Sequence, residues 1–525
     1  MPTPPTDALA LERAYARAMR VLVAVTSAFV LLTGTLALPS CSDDPSGATA
    51  DAGAGSDGDG TPEAGPLVDA APDAPAAAVE YRGGTRLRPI VTSGGGAKLF
   101  SRFHDTLLGV DCAYETLLDG ARHCAPTSPL PGSVYFTDAA CTQKVVGWIA
   151  TCSPTTPDKY AQYMNSTLGC TAPEILELGA ASTPATTYEK QGGTCMPYAG
   201  SALTYRSVAR TVPPSELVTG TVAREPRGKQ LFATYIDGTD GSRQPFGIED
   251  GAPHAGPCDA TNAGDGALRC TPTKLAFIEL LYSDTTCTTD AAYQPGYSSD
   301  QCALAPVAIL ESVPNTCASF YTPKYYEPGP KVTGTIYQGS PGSCSPLAGQ
   351  SAGSTFFSKG AAIPDTSFAA LKHVQSTGTP LAIDSLAVDT GEKVRASSFW
   401  DPVHAFACTS SKATDGKTRC ASRQADAQSF ADAACTQPLA TVPRVGAGCA
   451  AAVPPSYVSI DEPAANDCGP STLHLWHVGA KVSPAQVYQQ GSGCSASSPN
   501  AGVDYYATTG EVPAAELVEL TEVTE

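Results

Sequence analysis

The sequence predicts an all-β protein made of three tandem antiparallel modules, each of roughly 145 residues and stapled by disulfides. Three observations lead there. Eighteen of the 19 cysteines in this 525-residue chain fall into three sets of six with one spacing pattern. Short β-branched or aromatic runs at 133–136, 203–206, 335–337 and 486–488 are bounded by Gly, Pro, Asp or Asn, as strands between tight turns are. Long runs of helical periodicity are missing beyond residue 40, and 514–523 is the best candidate for a helix.

The first element, residues 1–40, is an address. Arg13, Arg17 and Arg20 precede an apolar run over 21–38, broken only by Thr26, Ser27, Thr33, Gly34 and Thr35. A basic stretch, an apolar stretch and small residues before a cut describe a secretory signal peptide. A start at Met19 would put Arg20 directly ahead of the apolar run. The ending Leu38-Pro39-Ser40-Cys41 resembles the lipobox of bacterial lipoproteins. That resemblance implies cleavage before Cys41, a diacylglycerol on its thiol and a fatty acid such as palmitate on the new amino group. An uncleaved anchor is the alternative, since 18 residues is near the lower limit for crossing a bilayer. Both readings attach the rest of the chain to a membrane, and two or three acyl chains hold it firmly where one would not.

The second element, 41–79, is the lipidated Cys and a spacer. Residues 42–79 carry eight carboxylates, no Lys or Arg, and only Leu67, Val68 and Val79 as larger apolar side chains. Such a stretch cannot bury enough surface to fold. Its reach is on the order of 35 Å, lengthened by repulsion among its carboxylates.

The modules follow at 80–220, 221–370 and 371–525, with no linker between them. Their cysteines are Cys112, Cys124, Cys141, Cys152, Cys170 and Cys195; then Cys258, Cys270, Cys287, Cys302, Cys317 and Cys344; then Cys408, Cys420, Cys435, Cys449, Cys468 and Cys494. The first step is 12 residues in every set. Other marks keep phase. Asp105, Asp250 and Asp401 stand ahead of the first Cys, and Asp119-Gly120, Asp265-Gly266 and Asp415-Gly416 ahead of the second. Phe136-x-Asp138, Tyr282-x-Asp284 and Phe430-x-Asp432 stand ahead of the third. The Asp-Gly pairs place hairpin turns between first and second cysteines, Gly taking positive φ. In such a hairpin Cys112 faces residue 126, so a bulge or a longer loop is expected to bring Cys124 to it.

Six cysteines allow fifteen connectivities per module. Neighbour pairing is preferred: Cys112–Cys124, Cys141–Cys152, Cys170–Cys195, Cys258–Cys270, Cys287–Cys302, Cys317–Cys344, Cys408–Cys420, Cys435–Cys449 and Cys468–Cys494. A zinc reading fails because no Cys-x2-Cys pair exists. The modules stand either as a row of β bodies or closed into one β-propeller of about six blades, and periodicity leaves both open.

Chemistry is sparse. With 32 basic against 51 acidic side chains, the formal charge of −19 argues against nucleic acid and polybasic lipid docking. Nineteen cysteines argue for an oxidising compartment, here the cell envelope: outer membrane, periplasm or cell surface. Gly349-Gln350-Ser351-Ala352-Gly353 matches a nucleophile elbow, but no helix follows and the other modules lack it, so chance explains it. His474 and His477, in a strand, point to opposite faces and make a poor metal pair. The repeated Asp105, Asp250, Asp401, Asp138, Asp284 and Asp432 read as turn caps that bond nearby backbone N–H groups. No catalytic, metal or cofactor residues emerge.

The marks Phe-x-Asp, Asp-Gly and aromatic-x-Asp-x-x-Cys-Thr, with the Tyr and Gly before the sixth Cys, resemble the uncharacterised Cys-rich modules of bacterial surface lipoproteins. That class implies no activity. The expected role is a binding scaffold for an unknown protein or glycan, anchored to the membrane through its N-terminal lipid. The alternative is a hydrolase or lyase acting on envelope glycan or peptide.

Overall fold

The computed structural model describes residues 80–525, apart from 128–131, 150–157, 165–171, 192–193, 201–202, 252–253, 295–304, 315–320, 348–354, 424, 426, 445–452, 463–469 and 491–492. Residues 1–79, Cys41 included, and 349–353 therefore lie outside the described residues. So do Cys152, Cys170, Cys302, Cys317, Cys449 and Cys468.

The protein is all-β, and three stretches of chain run through similar successions of strands. In the first, Leu87–Gly94, Ala97–Asp105, Val110–Thr116 and Arg122–Pro126 are β1–β4. Ser133–Phe136, Lys144–Ile149, Tyr160–Met164, Pro173–Ser182, Tyr188–Gln191, Thr194–Pro197 and Leu203–Val212 follow as β5–β11. In the second, Thr219–Arg227, Leu231–Gly238, Arg243–Asp250, Gly256–Asn262 and Leu268–Pro272 are β12–β16. Leu275–Phe277, Leu281–Tyr282, Ala291–Gln294, Ala308–Pro314, Tyr321–Lys331, Tyr337–Ser340, Ser343–Pro346 and Thr355–Ile363 are β17–β24. In the third, Leu371–Gln375, Ala382–Val388, Lys393–Asp401, Phe406–Ala413 and Thr418–Ala421 are β25–β29. Ser429–Phe430, Pro438–Pro443, Tyr457–Glu462, Thr472–Val482, Val487–Gln490, Cys494–Ser497, Val503–Glu511 and Thr521–Thr524 are β30–β37.

The first strands of each segment form an antiparallel meander, and the meanders join edge to edge. β4 pairs with β12 through Thr219 opposite His123 and Gly220 opposite Arg122. Single bridges, Arg269 to Ala370 and Arg419 to Glu519, join β16 to the start of β25 and β29 to the start of β37. At the three seams the N–H of Cys124, Cys270 and Cys420 donates to the carbonyl of Val218, Ala369 and Val518, each at 2.9 Å. β37 then pairs with β1, Thr524 opposite Ile90 to Thr521 opposite Ser93. The hydrogen-bonded order closes on itself, and β37 supplies for β1 the neighbour that β12 supplies for β13 and β25 for β26. This is neither a row of free-standing bodies nor, among the described strands, a set of propeller blades. The helix expected over 514–523 is absent. Residues Ala514–Glu516 make one 3-10 turn and 521–523 enter β37, because Val512-Pro513 fixes an extended entry and edge pairing with β1 decides the end.

The inner faces of the meanders are apolar at matching places. Leu87, Phe103, Cys112 and Cys124 pack together, as do Leu231, Ile248, Cys258 and Cys270, and Phe399, Cys408 and Cys420 with Leu381. Each large side chain so buried contributes roughly 1.5–3 kcal/mol. Gly120, Gly266 and Gly416 turn the last hairpins at φ +77°, +79° and +79°, where a side chain would be strained.

The later strands of the second segment form a barrel and a three-stranded sheet, β18-β22-β23, and those of the first and third each form one outer sheet. Its order in the first is β10-β9-β5-β6-β11-β8-β7. The third repeats that order as β35-β34-β30-β31-β36-β33-β32, with β33 also paired to β28. In the second, the extra β17 pairs with both β19 and β20 and closes a five-stranded barrel.

Six cystines are described. Cys112–Cys124, Cys258–Cys270 and Cys408–Cys420 each span 12 residues. No bulge brings them together: Cys112 lies opposite Pro126 and Tyr114 opposite Cys124 in an unbroken ladder. The bond runs diagonally across the pair, at a Cα separation of 5.3 Å. The other three correct the expected neighbour pairing. Cys141 bonds Cys195, not Cys152, so Cys170–Cys195 does not form either. Likewise Cys287 bonds Cys344, replacing Cys287–Cys302 and Cys317–Cys344. Cys435 bonds Cys494, replacing Cys435–Cys449 and Cys468–Cys494. The cause is tertiary. β5, β18 and β30 each pair with the first strand of the hairpin that carries the sixth Cys, as in Phe136 opposite Tyr188, and this lays the third Cys beside it.

Candidate functional site

The repeated carboxylates are the first candidates, and the fold gives them two settings. Asp105, Asp250 and Asp401 end β2, β14 and β27 and are at most 3% exposed. Asp105 Oδ1 accepts from the N–H of Leu107 and Leu108 at 3.0 and 3.1 Å, and Asp401 Oδ1 from Val403 and His404 at 2.9 and 3.1 Å. Both therefore cap the turn that follows. Their remaining partners differ. Arg86 grips Asp105 with two bonds of 2.8 and 2.7 Å, Gln230 Nε2 donates to Asp250 at 3.0 Å, and His404 Nδ1 lies 2.8 Å from Asp401. Each carboxylate is occupied by donors of its own segment.

Asp138, Asp284 and Asp432 sit on exposed outer turns. Asp138 accepts from the N–H groups of Thr142 and Gln143 and from the Thr142 hydroxyl. Asp432 repeats this with Thr436 and Gln437, and Asp284 takes bonds from Thr286, Thr288 and Thr289. The Thr286 hydroxyl, with Thr289 and backbone N–H groups, holds the Asp284 carboxyl far below the usual range. The same turns put Cys141, Cys287 and Cys435 in left-handed backbone at φ +52° to +54°, which each capping Asp stabilises.

The catalytic alternative meets its best candidate in the third segment. Asp384, 2% exposed, accepts from Gln375 Nε2 at 2.9 Å and Ser397 Oγ at 2.8 Å, and His373 Nδ1 lies 2.6 Å away. Ser, Asp and His are together, but the carboxylate is central and the Ser bonds it directly. A nucleophilic relay needs the His between the other two. His474 is bonded through both ring nitrogens, to Glu511 at 2.8 Å and Glu462 at 3.0 Å, while His477 packs on the Tyr457 ring; the two histidines do not converge. Among the described residues no group of three His, Cys, Asp or Glu could hold a metal ion. The open hollow lined by Thr333, Gly334, Thr335 and Leu347 carries no titratable group.

Sequence reasoning missed Asp384, His373 and His404. Their signal was departure from the shared pattern, since Ile90 and Thr234 stand where the third segment has Asp384, each opposite the residue that follows an unpaired residue at the same irregularity in pairing.

Residues 82–358 match a family of unknown function, DUF7481, over more than half of the chain. The chain belongs to that family. The DUF7481 match takes in the first segment and the second as far as β24. Neither a curated protein nor a solved structure matches the chain. Its six described cystines belong to an oxidising compartment outside the cytoplasm. Among the described residues no helix is long and apolar enough to cross a membrane.

Proposed function

We propose that this DUF7481 protein is a lipid-anchored scaffold of the cell envelope, built from three copies of one unit, that binds a protein or glycan partner. Cys41 carries the lipid in this reading, and 42–79 tether the body at a distance from the bilayer. One observation supports the binding role above others. The three segments share the meander, the two kinds of described cystine and the capping carboxylates of the outer turns, while the ionisable and aromatic side chains at matching places differ. A rigid frame with variable side chains suits recognition, because function resides in sites grafted on a fold.

The anchor is tested by feeding expressing bacteria an alkyne-tagged palmitate. Wild-type chain should take up the label and partition into detergent, and Cys41→Ala should do neither. Label retained by Cys41→Ala overturns the anchor. The binding role is tested by incubating the full chain in detergent with envelope glycan and peptide preparations. Retention without new reducing ends or new amines supports the scaffold, and catalytic release of either product favours the hydrolase or lyase.

A further inference from the structure

The pairs β1–β2, β13–β14 and β26–β27 share one irregularity. At the matching place a bulge leaves a residue unpaired: Ser101 in β2, Phe246 in β14 and Ser397 in β27. Bulges re-aim side chains and gather beside functional sites. Ser101 and Ser397 are short and bonded locally, Ser101 Oγ accepting from Arg102 at 3.2 Å and Ser397 Oγ donating to Asp384. Phe246 is instead 37% exposed. Arg122 lies across its ring, Cζ 4.2 Å from the centroid.

Arg122 also departs from the pattern. It stands on β4 opposite Thr116 and Gly220, directly before His123. The matching places before Arg269 and Arg419 hold Leu268 and Thr418. The guanidinium is half-buried, and burial pushes its pKa down. Among the described residues no carboxylate or carbonyl accepts from it. Among the described arginines only Arg395 shares that lack, and Arg395 stands exposed on β27. Leaving a partly desolvated cation without a hydrogen-bonding partner is costly, in a chain with 51 acidic side chains.

We propose that Arg122 and Phe246, at the seam of the first and second segments, bind a saccharide that carries one carboxylate, of the uronic acid class. The guanidinium fork offers five N–H donors in a plane that matches a carboxylate, and the exposed part of the Phe246 ring offers an apolar surface for the C–H face of a pyranose. The net charge of −19 weighs against polyanions and leaves a singly charged ligand. This rests on the scaffold reading and names the ligand chemistry of one of its sites.

Saturation-transfer NMR on the full chain in detergent tests it, with methyl β-D-glucuronide, methyl β-D-glucoside and inorganic phosphate as probes. Arg122→Leu and Phe246→Ser install residues found at the matching places, so both should fold with an unchanged thermal midpoint. The glucuronide should give a saturable signal that falls at least tenfold in Arg122→Leu and several-fold in Phe246→Ser, and the glucoside should give none. A glucuronide signal that survives both substitutions, an equal glucoside signal, or displacement by equimolar phosphate overturns the proposal. If the glucuronide gives no signal while the chain still retains an envelope glycan or peptide, this site falls and the scaffold stands; if nothing is retained, both fall.

Discussion

The inner meanders and the outer sheets use their cystines in opposite ways. Inside, the bond crosses one hairpin over 12 residues, and all six cysteines are at most 3% exposed. Outside, it spans 54, 57 or 59 residues and ties a turn to a distant hairpin, with only Cys287 fully buried. The inner bond is a packing element that also crosslinks; the outer bond is chiefly a crosslink. Loop entropy alone ranks the outer bond higher, at about 4 kcal/mol against about 3 kcal/mol for the inner one. Burial reverses that order.

The largest effect is therefore expected inside. Cys112→Ala with Cys124→Ala should cost about 3 kcal/mol of chain entropy and about 2 kcal/mol of lost core packing, measured as urea unfolding followed by circular dichroism. Cys141→Ala with Cys195→Ala should cost about 4 kcal/mol in the same assay; a larger loss than for the inner pair breaks the comparison. Arg86→Ala comes next. It strands the buried Asp105 carboxylate, and about 3 kcal/mol should be lost.

Two smaller effects sharpen the contrast. Under mild phosphine reduction of folded protein, alkylation mapped by mass spectrometry should mark Cys141, Cys195, Cys435 and Cys494 before Cys112 or Cys124. The smallest effect is expected at the exposed turn of Asp284. Its carboxyl is depressed in the fold relative to the unfolded chain, so its stabilisation is full above about pH 4, the unfolded value, and is lost as pH falls below it. Asp284→Asn should flatten the acid limb of the stability profile by lowering stability slightly at neutral pH while leaving it nearly unchanged at low pH.

What could be read from residues alone follows the same divide. The 12-residue cysteine step with Asp-Gly inside it is local, and so is an Asp bonding N–H groups a few positions on; both were legible. The diagonal register of Cys112 and Cys124 was not, since sheet twist makes a bulge unnecessary. The partner of Cys141 was hidden because β5 to β9 pairing, far along the chain, decides it. The short helix expected at 514–523 yielded to a strand for a similar reason, since β1 captures that segment. Of the candidate sites, the capping carboxylates were visible as repetition. Arg122 with Phe246 and the Asp384 cluster became visible only once the bulges aligned the segments.

The pairing of β37 with β1 has a consequence for biogenesis. More than four hundred residues separate the two strands, so in a chain that emerges from its N-terminal end β1 waits for β37 before its outer edge is covered. Until then that edge is a row of open donors and acceptors, and a holding factor that shields extended chain is the class of helper such an order of assembly calls for.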